Sequence, residues 1–87
     1  MSEYVEARYA LITLEQARET SEERAAALLN GLLEDLVSPR KPSSARDDTL
    51  ASIQNLVLLL CDRRAPPSSY WEAARAAANA WREGAYH

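Results

Sequence analysis

From Leu56 to Cys61 the chain reads LVLLLC, six consecutive apolar residues within the longer run Asp47–Arg64. Leu50, Ile53, Val57, Leu60 and Cys61 recur at the i, i+3, i+7, i+10, i+11 spacing of one helix face. Leu56, Leu58 and Leu59 fall on the other faces, so a helix here is apolar all round and cannot stand alone in water. It must be packed on more than one flank, by neighbours in the same chain or by a second copy. The other segments must therefore be read for their capacity to cover it.

Ser2 is placed to cap a first helix, with Glu3 and Glu6 near its positive end. Val5, Tyr9 and Ile12 form its expected inner face, with Tyr4 and Leu11 beside them. YALIT also suits a short strand, which leaves residues 3–14 readable either way. Residues 15–24 carry almost no apolar surface except Ala17. Thr20 and Glu23 have the spacing of a capping box, opening a second helix from Ser21 to Val37 with Ala25, Leu28, Leu29, Leu32 and Leu36 as its stripe. Gly31 in mid-helix marks either close approach by another helix or an exposed position.

Ser38-Pro39 ends that helix, and an exposed, basic, Pro/Ser-rich loop is expected over about 38–46. Asp47 or Asp48 then caps the central helix, with Arg63 and Arg64 near its negative end. Ala65-Pro66-Pro67 forces a stop. Ser69 with Glu72 repeats the capping-box spacing and opens a last helix over about 69–83, whose inner face is Trp71, Ala74, Ala78 and Trp81, joined by Ala85. Gly84 is placed as its C-cap. The expected architecture is all-α: one domain, 1–87, a small bundle of three to four helices with a central apolar helix (about 47–64) and an Ala-rich C-terminal helix (about 69–83) packed on it.

The composition agrees with this reading. Sixteen Ala, two Gly and no Phe favour helix over sheet, and 47% hydrophobic with 26% charged residues is ordinary for a globular chain. Nine Arg against one Lys, with so much Ala, suggest a GC-rich coding genome, bacterial or phage-borne. Cys61 cannot form an intrachain disulfide and is expected as a small core residue. The longest apolar run is six residues, against about 20 for a bilayer span, and Met1–Tyr9 is polar and acidic, so a soluble cytoplasmic protein is expected.

The net charge of −3 argues against a surface built for phosphate backbones. Residues 1–37 sum to −5, residues 38–46 to +3 and residues 47–87 to −1. The basic patch Arg40, Lys41 and Arg46 is a weak footprint for nucleic acid. The link between the last two helices also exceeds the short turn of a helix-turn-helix. A single His, at position 87, and a single Cys do not assemble a zinc site or a nucleophile pair. Adjacent acids such as Glu34 and Asp35 diverge by about 100° on a helix. Two isolated glycines cradle no phosphate. No cofactor, metal, membrane or small-molecule substrate is expected, nor an enzyme.

What remains is recognition of another protein, for which two Trp, four Tyr and nine Arg are the favoured contact types. Trp71 and Trp81 are assigned to the core. The candidate partner-binding residues are Glu15, Glu19, Glu22, Glu23, Tyr70 and Tyr86, with Glu15, Glu19 and Glu22 along one helical edge. A small acidic inhibitor, immunity factor, chaperone or adaptor is the expected class. Its partner would be matched by shape and charge, a basic nucleic-acid-handling protein among the candidates. The alternative is a homodimeric DNA-associated or transcriptional regulator whose copies meet through Leu56 and Leu59.

Overall fold

In the computed structural model, residues 2–36 and 44–85 are described. They form four helices, α1 (Glu3–Arg18), α2 (Glu22–Leu36), α3 (Ser44–Cys61) and α4 (Ser68–Ala85). No strand occurs among the described residues, so the first segment is helix. Val37, Arg40, Lys41, Tyr86 and His87 lie outside the described residues, as does most of the expected 38–46 loop.

Each helix packs on two others, α1 on α2 and α4, and α3 on α2 and α4. Tyr9 meets Asp35 and Glu3 meets Trp81, so α1 runs antiparallel to both α2 and α4. Arg46 at the start of α3 meets Leu36 at the end of α2. The result is an up-down-up-down ring, the arrangement that short connections impose on amphipathic helices. Its long dimension of 37 Å accommodates 18-residue helices of about 27 Å and their connections.

As expected, α3 is covered on two flanks and α4 lies on it. Ile53, Leu56, Val57 and Leu60 are buried, whereas Leu58 is 62% exposed and Leu59 half-buried. The ring thus covers one broad face of α3 and leaves the opposite face to water. The most extensive seams are those of α4, against α1 and α3. Ala7 and Ala10 of α1 and Ala74 and Ala78 of α4 are fully buried, and side chains this small let helix axes approach closely. Across the ring, Leu29, Leu32 and Leu36 of α2 supply the volume, each contributing about 1.5–3 kcal/mol by burial.

The inner face of α1 differs from expectation. Val5 and Ile12 are half-exposed, and the buried apolar residues are Ala7, Ala10, Leu11, Leu14 and Ala17. Bulk alone marks Val5 and Ile12 for the core, but against an Ala-rich neighbour the alanine stripe packs inward and the β-branched residues turn out. Cys61, expected inside, is exposed. It is the last residue of α3 and faces an open groove.

The ends also differ in detail. Ser2 Oγ accepts from the Val5 amide, as the sequence implied. At α2 the cap is Ser21, whose Oγ accepts from the Arg24 amide, in place of the expected Thr20–Glu23 box. Helix α3 starts three residues before Asp47, so the segment 44–46 expected as loop is helical. It ends in a Schellman motif: Arg64 N–H bonds Leu59 C=O, Arg63 N–H bonds Leu60 C=O, and Arg63 takes the left-handed φ of 57°. Gly84 lies inside α4 rather than capping it.

Candidate functional site

Arg46, expected in an exposed basic patch, is 6% exposed and donates from its guanidinium to the Leu36 carbonyl at the C-terminus of α2. Helix C-termini leave carbonyls without intrahelical donors, and a cation there is favoured by the helix dipole. Its charge is thus turned to closing the bundle. Leu56 has no exposed surface, being enclosed by the chain's own helices, so it offers nothing to a second copy.

The acidic candidates fall on two elements. Helix α1 ends at Arg18 and α2 begins at Glu22, which breaks the continuous edge expected through Glu15, Glu19 and Glu22. Glu15 and Glu19 line an open groove of about 510 Å³ with Leu14, Arg18, Trp71 and Arg75. Glu22 and Glu23 line another, of about 590 Å³, with Ala26, Leu60, Cys61 and Arg63. Each groove mixes signs, so the acids do not form an uninterrupted negative surface. Arg75 and Glu15 approach to 3.8 Å with both side chains 60% exposed, a geometry of little stabilising value. Tyr70, 42% exposed, stands apart beside Ser52, Asn55, Ser69 and Ala73 between α3 and α4.

The two tryptophans of α4 part company. Trp81 is 1% exposed, and its indole N–H donates to Glu3 Oε1 at 2.9 Å, so the polar tip of the largest core residue is satisfied. Trp71 is only half-buried and forms a wall of the first groove. Ten residues at 100° each put the two rings about 80° apart around the helix, a signal present in their spacing. Leu14, Arg18 and Arg75 are groove residues outside the candidate set read from sequence, and Trp71, assigned there to the core, packs partly buried against it while walling the groove.

On the opposite flank of α1, the Tyr9 hydroxyl donates to Asp35 Oδ2 at 2.8 Å. That bond, with some burial and the carboxylate's negative charge, raises the Tyr9 pKa above the ordinary phenol value. Among the described residues no group of His, Cys, Asp and Glu is arranged to hold a metal ion, and no helix is long and apolar enough to cross a membrane. Comparison with protein-family models, with curated proteins and with solved structures finds no match for the chain.

Proposed function

We propose that the chain is a non-enzymatic protein-binding protein, of the inhibitor, chaperone or adaptor kind, whose partner docks in the groove between the end of α1 and the start of α4. The observation that carries this reading is Trp71: a large aromatic side chain, half-buried, walling an open groove beside Leu14. A partially exposed Trp fixed on a helix is the type of anchor that dominates interface energetics. Glu15, Glu19, Arg18 and Arg75 rim the groove with alternating charge, which sets register and selects a partner of matching pattern more than it adds affinity. A segment of alternating charge, with basic residues opposite Glu15 and Glu19 and acidic ones opposite Arg18 and Arg75, is the electrostatic match.

The test is quantitative affinity capture from the encoding organism, using the wild type, Trp71→Ala and the double charge reversal Glu15→Lys/Glu19→Lys side by side. One protein retained in stoichiometric amount by the wild type, and lost about tenfold or more by both variants at unchanged fold, is the expected result. Equal retention by Trp71→Ala would remove the groove from the interface.

A further inference from the structure

We infer that the α1–α4 seam holds, next to the Trp71 groove, a binding site for a dianionic oxyanion of the phosphate-monoester class, formed by Arg8, Arg75, Asn79 and Arg82. On α4, Arg75, Asn79 and Arg82 occupy i, i+4 and i+7 and so share one edge. The antiparallel run of α1 brings Arg8 to the same place, and the four side chains line a hollow of about 330 Å³ with Leu11, Ile12 and Glu15. Three arginines thus line one hollow in a chain whose net charge is −3. Arg75 is shared with Glu15, whereas the guanidiniums of Arg8 and Arg82 make no hydrogen bond or ion pair among the described residues.

Charge selects the ligand. Three arginines less the Glu15 carboxylate leave +2 around the hollow; Glu72 and Glu83 are exposed on α4 and do not line it. A phosphate monoester near neutral pH carries close to two negative charges and three acceptor oxygens, enough for two guanidinium forks and the Asn79 amide together. A single carboxylate would leave one cation uncompensated. A nucleic-acid strand needs a continuing cationic track, but past Arg75 the seam turns to Glu15 and Glu19.

The experiment is an NMR titration of the full chain with phenyl phosphate, and separately with inorganic phosphate, at constant ionic strength, following arginine side-chain N–H and Asn79 amide signals. Saturable shifts confined to this hollow are expected. The Arg8→Gln/Arg82→Gln double variant should lose about tenfold or more in affinity with unchanged thermal melting. Glu15→Gln should tighten binding several-fold by freeing Arg75, and Trp71→Ala should leave it unaltered, which separates this site from the protein-binding groove. Shifts that never saturate, equal affinity in the double variant, or tighter binding of acetate or of a single-stranded oligonucleotide than of the monoester would overturn the assignment.

Discussion

Gly31 occupies the middle of α2, yet a Cβ built there meets nothing within 4 Å and its φ is not positive. No close helix contact requires it. Gly31→Ala should therefore raise stability by about 0.5–1 kcal/mol, through helix propensity and a less disordered unfolded chain. In a thermal melt this appears as a rise of about 3–6 °C, and a fall would mean that α2 has a neighbour on that side. Tyr9 gives a pH-dependent counterpart. Because its pKa is raised in the folded state, its contribution is complete below the unfolded value of about 10 and is lost as pH climbs through the folded value. Tyr9→Phe should cost about 0.5 kcal/mol in urea melts at pH 7, a hydrogen bond discounted for its exposure, and progressively less as the pH is raised past the ordinary phenol value. Residue-level errors in the sequence reading share one cause. Arg46 resembles its basic neighbours in sequence, and Cys61 its apolar ones, but each is placed by an element distant in the chain. Arg46 is drawn to the end of α2, and Cys61 faces the open groove between the end of α3 and the start of α2.

At the scale of the element, α3 separates hydrophobicity from burial. Leu56 has no exposed surface while Leu58, two residues on, is 62% exposed. Leu56→Ala should cost about 2–5 kcal/mol and Leu58→Ala within about 0.5 kcal/mol, measured by denaturant unfolding of the two variants. Similar losses at both positions would mean that the outer face of α3 is covered. Helices α2, α3 and α4 were legible from period and from the local signals around 19–21 and at Pro66-Pro67, whereas residues 3–14 read equally as helix or strand and only the structure makes them helix. Which face of α1 turns inward was not legible either. Periodicity pointed to the bulky stripe of Val5, Tyr9 and Ile12, and the inward turn of Ala7 and Ala10 depends on α4, whose own alanines favour the smaller partner.

The whole molecule is a ring of antiparallel helices in which every large leucine of α2 is at least half-buried, and its exposed bulky apolar residues, Val5, Ile12, Leu58 and Tyr70, are spread over three helices. Scattered residues of this kind do not make a self-associating patch. Sedimentation equilibrium up to about 100 μM should accordingly give the monomer mass, and a dimer would mean that the open face of α3 associates. Of the candidate groove, the acids were visible in the sequence and Arg75 was not, because it joins the site only when α4 folds back along α1, whereas Arg18 lies on α1 itself beside Glu15 and Glu19. The account turns on α4 presenting one tryptophan to the core and the other to an open groove. Acrylamide quenching of the wild type and of Trp71→Phe measures this directly. The wild type should show one accessible and one shielded emission, with the accessible component gone in Trp71→Phe and the remaining Trp81 emission blue-shifted. Accessible emission that survives in Trp71→Phe would contradict it.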